Sequence, residues 1–160
     1  KIINCLQKNK KIIIFGNGGS AADAQHMAAE FIGRYLKERK SYAAIALTTD
    51  SSILTALGND YNFDIIFSRQ CEALVNKGDL VLGISTSGNS QNVINGIKTS
   101  KKNGAITVSL TGGNGGKLKK ICDYSIISPS TYTPHIQESH RTIIHIICNL
   151  VEKYSKNWYN

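Results

Sequence analysis

The stretch Leu80–Ser90, LVLGISTSGNS, runs from a short apolar segment into Ser85-Thr86-Ser87-Gly88-Asn89-Ser90, and a helix-compatible segment opens at Gln91. That order predicts a buried strand, a hydroxyl-rich turn and a helix start. Such a turn gathers hydroxyls and unpaired backbone N–H groups where the helix dipole is positive, and the ligand it suits best is a phosphate dianion. A second turn has the same build: Lys11–Phe15 (KIIIF) leads into Gly16-Asn17-Gly18-Gly19-Ser20 ahead of a long helical pattern. In open parallel sheets ligands bind beyond the carboxyl ends of the strands, where neighbouring connections diverge, so two turns of this kind imply one crevice. Neither is a nucleotide fingerprint. Gly16–Ser20 lacks the G-x-G-x-x-G spacing, and neither turn has the Gly-Lys-Ser/Thr ending of a P-loop. For either turn alone a plainer reading has equal weight: glycine for tight geometry, with Ser20 or Ser90 as an N-cap.

Working outward, five short apolar segments have the character of buried strands: Ile12–Gly16, Tyr42–Leu47, Leu80–Ile84, Ala105–Leu110 and Tyr124–Ser128. Helical patterns lie between them at Ser20–Leu36, Ser51–Leu57, Phe63–Asn76, Gln91–Lys102 and Gly115–Ile121, and a last helix is expected from about Pro134 to Lys156. Alternation of this kind predicts an α/β fold, a parallel sheet with helices on both faces. The middle of the last helix is apolar on nearly every side, with Ile136, Ile143, Ile144, Ile146, Ile147, Leu150 and Val151. In a small domain that distribution points to a neighbouring subunit over one face.

A chain of 160 residues is read as one domain spanning 1–160, able to bury a core without covalent staples. Cys5, Cys71, Cys122 and Cys148 are far apart, form no C-x-x-C pair and follow no secretory signal, so they read as reduced, packed thiols of a cytoplasmic protein. No apolar run approaches the ~20 residues that span a bilayer, so no membrane association is expected. The segment Lys1–Asn9 reads as the tail of a longer helix. The net charge of +8 comes from dispersed lysines, clustered only at Lys8/Lys10/Lys11, Lys98/Lys101/Lys102 and Lys117/Lys119/Lys120 without interleaved aromatics. That pattern argues against nucleic acid and suits attraction of a sugar phosphate.

His26 and Glu30 are four residues apart on the helix after the first glycine turn, so they share one face, with Asp23 on that face or capping the helix. Such pairs are commonly exposed couples on a helix surface. Here Ala21, Ala22, Ala24, Met27, Ala28 and Ala29 favour a buried helix, and a buried carboxylate beside an imidazole usually serves catalysis or metal binding. The last helix offers Gln137, Glu138, His140, Arg141 and His145. Gln137 and His145 are eight residues apart, about 12 Å along a helix. If both serve one small site, the simplest arrangement is a site shared between subunits; otherwise they are a capping glutamine and a core or interface histidine.

Asn17-Gly18-Gly19-Ser20, Asp23-Ala24-Gln25-His26, Glu30-Phe31, Gly33-Arg34-Tyr35, Gly58-Asn59-Asp60, Phe67-Ser68-Arg69, Gly83–Ser90 and Ile136-Gln137-Glu138 through His145 together resemble the sedoheptulose 7-phosphate (phosphoheptose) isomerases, which are built on the sugar isomerase (SIS) domain. The resemblance runs in register over nearly the whole chain, and departs from the family where His135 stands in place of a common arginine. It implies a three-layer α/β/α sandwich around a five-stranded parallel sheet in flavodoxin-like strand order. It also implies a homotetramer with active sites between subunits. The implied reaction converts sedoheptulose 7-phosphate to D-glycero-D-manno-heptose 7-phosphate through a cis-enediol, the first step towards ADP- or GDP-heptose for lipopolysaccharide or capsule. By the same resemblance Glu30 is the base and His145 the acid. Ser85, Thr86, Ser87 and Ser90 hold the phosphate; Asn17, Gly18, Gly19, Asn59 and Asp60 fix the open-chain sugar; Gln137 holds the reacting end. His26, Glu30, Gln137 and His145 correspond to a zinc site. Two alternatives remain at this level: another sugar-phosphate isomerase, and a non-catalytic SIS-type module that binds a replication initiator protein. The second has no need of an acid–base pair.

Overall fold

In the computed structural model, which describes residues 1–155, β1 (Ile12–Gly16) and β3 (Leu80–Ser85) are buried at every position. They read as continuous apolar runs because each strand is covered on both faces. β2 (Ala44–Ala46), β4 (Ile106–Gly112) and β5 (Tyr124–Ser128) complete a five-stranded sheet in the order β2-β1-β3-β4-β5, with all pairings parallel. This is the flavodoxin-like order implied by the resemblance, and its switch point lies between β1 and β3.

Alternation along the strands divides the core. Ile12, Ile14, Leu80, Leu82, Ile84 and Leu110 face α1 (Ile2–Gln7), α2 (Gly19–Ile32) and α7 (Thr133–Tyr154), whereas Ile13, Phe15 and Val81 face α4 (Ile66–Leu74) and α5 (Gln91–Lys102). The third layer is thus α3 (Ser51–Asp60), α4, α5 and α6 (Leu118–Ile121). α5 comes close to β1 at Gly96, where a Cβ would stand 2.8 Å from the Phe15 ring. Asp79 fixes the strand starts: its buried carboxylate accepts from the Lys11 and Asn76 amides and pairs with Lys11 Nζ at 2.7 Å.

Several element ends differ from the sequence reading. α2 stops at Ile32 rather than Leu36, because residues 33–40 leave the helix at Gly33 and Arg39 donates to the carbonyls of Glu30, Phe31 and Gly33, which the helix leaves unpaired. The Phe63–Asn76 segment divides into a 3₁₀ turn (Phe63–Ile65), opened by Asn62 Oδ1 accepting from the Asp64 amide, and α4. Gly115 and Gly116 have φ of +85° and +55°, so they cannot belong to a helix and α6 is a single turn. Only Ala44–Ala46 of the expected Tyr42–Leu47 strand pairs, and β4 begins at Ile106 and extends to Gly112. α7 runs to Tyr154; the expected end at Lys156 lies outside the described residues.

Candidate active site

The turn after β3 is built for an anion. Ser90 occupies the N-cap position of α5 but its side chain makes no cap; its Oγ is 2.9 Å from Oγ of the buried Ser85. The first-turn amides of α5 other than that of Val93, which donates to Asn92 Oδ1, therefore keep their positive field for a ligand. Ser87 Oγ accepts from the Asn89 amide, and Asn89 Oδ1 accepts from the Lys117 amide. Gly88 has φ +67°, and a Cβ there would stand 2.2 Å from Gly115 O, so this position admits only glycine. Thr86 O accepts from the Gly112 amide, which holds the turn against the end of β4. Thr86 and Ser87 line a cleft of about 310 Å³ with Gly112, Gly113, Asn114, Thr131 and Ile136.

The turn after β1 differs from the capping alternative. Gly18 is the N-cap of α2, which starts at Gly19, one residue earlier than expected, and Ser20 is a buried second helical residue. Gly18 and Gly19 are exposed. Asn17 is tied to the α5 start by a reciprocal amide pair: Asn17 Nδ2 donates to Asn92 Oδ1 and Asn92 Nδ2 donates to Asn17 Oδ1, both at 2.9 Å.

α2 and α7 run parallel and meet in a ladder. A Cβ on Gly19 would lie 2.6 Å from Gln137 Nε2; Arg141 donates through Nε and Nη2 to Oδ1 of buried Asp23 at 3.0 and 2.5 Å; and His26 Nε2 is 3.0 Å from His145 Nε2. Glu30 Oε1 stands 3.3 Å from the same His26 nitrogen. His26, Glu30 and His145 are half-buried, and one ligand atom from each lies within 4.8 Å of the others, a group able to hold a metal ion. Two imidazoles and a carboxylate are the donor set of many catalytic metal centres, so these residues fit such an ion. Behind them the Tyr35 ring packs 5.9 Å from the His145 ring, and the Tyr35 amide is held by Glu152.

The structure thus gathers most of the expected residues along the carboxyl edge of the sheet and the α2–α7 seam. It does not bring Gln137 to His145 within the chain, since Gln137 stands at Gly19, about 10 Å along α2 from His26 at the rise of a helix. Asn59 and Asp60 also stand apart. They are exposed at the end of α3 and hydrogen-bonded to each other, with no bond to the other site residues among the described residues. The sequence reading missed Asn92 and the packing of Tyr35 on His145. Asn92 lies in the first turn of α5, one of several asparagines near the turn, and nothing in its spacing marks it. Burial pushes the thiols of Cys71 and Cys122 up to about 11 and that of Cys148 up to about 12, and raises that of Cys5 as well.

A parallel sheet with two phosphate-suited turns beside its switch point and a His–Glu–His group on the adjoining helices has the build of a sugar-phosphate-binding α/β domain. The family profile for the SIS domain matches residues 1–112. The chain is 57% identical over 152 residues to the phosphoheptose isomerase of Aquifex aeolicus, covering 95% of this chain and 80% of that protein. It is 55% identical to the phosphoheptose isomerase of Pelobacter propionicus, covering 96% and 81%. Among solved structures, the phosphoheptose isomerase of Neisseria gonorrhoeae superposes with a TM-score of 0.90 at 46% identity over 95% of this chain and 81% of that one. That of Francisella tularensis does so with 0.92 at 35% identity and the same coverage. The chain belongs to the phosphoheptose isomerase family of SIS-domain proteins.

Proposed function

We propose that this protein is an aldose–ketose isomerase that converts sedoheptulose 7-phosphate to D-glycero-D-manno-heptose 7-phosphate. The observation that carries the reading is the convergence of Glu30 and His145 on His26, on the seam that leads away from the two ligand turns. Isomerisation through an enediol moves a proton between adjacent carbons while the carbonyl oxygen gains one, so it needs a base and an acid on different parts of the substrate. Glu30 takes the proton from the carbon next to the carbonyl and returns it at the neighbouring carbon. His145 donates a proton to the carbonyl oxygen and takes one back from the hydroxyl of the adjacent carbon, which becomes the new carbonyl. Ser85, Thr86, Ser87 and Ser90 hold the phosphate at the start of α5, and Gly18, Gly19, Asn17, Asn59 and Asp60 hold the sugar hydroxyls. His26, Glu30 and His145, with Gln137 of a neighbouring subunit, would hold zinc, which when bound would supply a Lewis acid for the carbonyl oxygen in place of the His145 proton. The test is a proton NMR time course with sedoheptulose 7-phosphate in deuterated water. A new aldose signal carrying deuterium at C2 is expected; no conversion, with or without added zinc, contradicts the reading.

The active sites lie between subunits of a homotetramer. Two observations support this: Gln137 is separated from His145 along the seam, and apolar side chains are exposed on α7 (Ile146, Leu150) and around α3 (Ile53, Tyr61, Phe63). Subunit complementation tests it. Glu30→Gln and Gln137→Ala proteins, each inactive alone, will regain activity when dissociated and reassembled together, because about one quarter of randomly assembled sites then receive an intact residue from each chain. A mixture as inactive as its parents would place both residues on one chain.

A further inference from the structure

We infer that Asn92 is a positioning residue that sets the register between the phosphate-holding turn and the sugar-holding turn; this rests on the isomerase reading above. The two turns leave different strands, β3 and β1, and meet through one pair of carboxamides. Each amide donates once to the other at 2.9 Å, and Asn92 Oδ1 also accepts from the Val93 amide at 2.9 Å. An amide oxygen has two lone pairs, so the acceptor capacity of Asn92 is filled and its plane is fixed. Asn92 is 3% exposed, in the first turn of the helix whose start faces the phosphate, so it is sealed from the substrate and cannot hold it directly. Asn17 is half-buried between the exposed Gly18–Gly19 turn and this clamp. With Oδ1 and one N–H engaged by Asn92, Asn17 has its second N–H left to offer a sugar hydroxyl, in a direction that Asn92 dictates.

A substrate chain held at its phosphate by one turn and at its hydroxyls by the other places its reacting carbons only as accurately as the two turns are registered, and small misplacement at that distance lowers rate rather than binding of the anchor. Loss of the clamp therefore separates two quantities that loss of fold would change together. Asn92→Ala keeps the Ser85–Ser90 contact and the helix start, so inorganic phosphate should bind within about threefold of the parent. The extra affinity of sedoheptulose 7-phosphate over inorganic phosphate should fall about tenfold, the effect of losing a pair of hydrogen bonds. Asn17→Ala removes the sugar contact as well as the clamp, so it should lose at least as much of that increment as Asn92→Ala, and because the two amides act as one unit the double variant should lose no more than Asn17→Ala does.

The experiment is calorimetric titration of parent, Asn92→Ala, Asn17→Ala and the double variant with inorganic phosphate and with sedoheptulose 7-phosphate, beside turnover and melting temperature for each. Selective loss of the sugar increment and of kcat, non-additive between the two asparagines, is the expected result. Equal losses for both ligands, additive effects, or unchanged kcat in a folded variant would overturn it, and Asn92→Asp, which keeps the acceptor side of the clamp, serves if the alanine variant does not fold. A parent that binds sedoheptulose 7-phosphate more tightly than phosphate without converting it would refute the isomerase reading and leave the clamp testable by binding. A parent that binds both equally would refute the clamp.

Discussion

Glu30→Gln will lower kcat/KM for isomerisation of sedoheptulose 7-phosphate by about 10²–10⁴-fold, the range expected for a lost general base. The carboxamide has the carboxylate's shape but cannot accept the carbon-bound proton, so exchange of that proton with deuterated solvent should disappear with turnover. The substitution is gentle on the fold: Glu30 is half-buried on the seam and, among the described residues, its ion-pair partner is the half-buried His26. Melting temperature should move by only a few degrees. Phosphate binding should persist, because the Ser85–Ser90 turn lies on β3 and α5, away from α2. A variant that keeps its rate within tenfold, or that still exchanges deuterium into substrate, would remove Glu30 from the role of base. Because Glu30 belongs to the group able to hold a metal, a metal titration of the same variant separates the two roles: lost metal affinity alone is repaired by excess metal, whereas a lost base is not.

What the sequence made legible follows physical range. Strand-to-helix turns report themselves locally: apolar run, glycine, hydroxyls, helix start. Both turns and the layer architecture are where the sequence reading puts them, and the parallel order 2-1-3-4-5 agrees with the family resemblance. The i,i+4 spacing placed His26 and Glu30 on one face, and the structure keeps them there at 3.3 Å. Contacts between distant segments were not legible from spacing; only the family resemblance set His145 beside His26 and Glu30. The parallel seam of α2 and α7 places Arg141 on Asp23 and His145 on His26, pairings with no local signal. The end of α2 was misplaced because its stop is supplied from afar: Arg39 takes carbonyls at the helix terminus, and Glu152, more than a hundred residues away, takes the amides that follow. Asn92 was missed for the same reason, as its partner Asn17 is in another turn.

Glu152 gives the largest expected effect on stability. It is 4% exposed near the end of α7, where Oε1 accepts from the Tyr35 amide and Arg39 Nε at 3.2 Å each and Oε2 accepts from the Leu36 amide at 2.9 Å. Arg39 in turn lies 4.0 Å over the Tyr42 ring and reaches the carbonyls of the α2 terminus. Glu152→Ala strands this guanidinium and two amides at once, and breaking a buried pair costs about 3–5 kcal/mol. At about 2–4 °C per kcal/mol for a chain of this size, the melting temperature should fall by roughly 10 °C. Glu152→Gln, which keeps an acceptor but not the charge, should fall by less. Burial works to raise the Glu152 pKa, but the amides of Leu36, Lys37 and Tyr35 and the charge of Arg39 prevail and hold it below the ordinary carboxylate value. With the folded pKa depressed, this stabilisation is complete above the unfolded value of about 4.3 and is lost as pH falls through the lower folded value. Stability of the parent should therefore drop with acid below about pH 4.5, and the Glu152→Gln profile should be flatter there, keeping only the slope from groups such as Asp123, whose pKa is also lowered. Because this carboxylate anchors the Tyr35 backbone and the Tyr35 ring packs on His145, kcat should fall in Glu152→Ala even well below its melting temperature. An alanine variant that melts within two or three degrees of the parent, on the same scale, would show that Arg39 and the 33–40 loop hold themselves without this carboxylate.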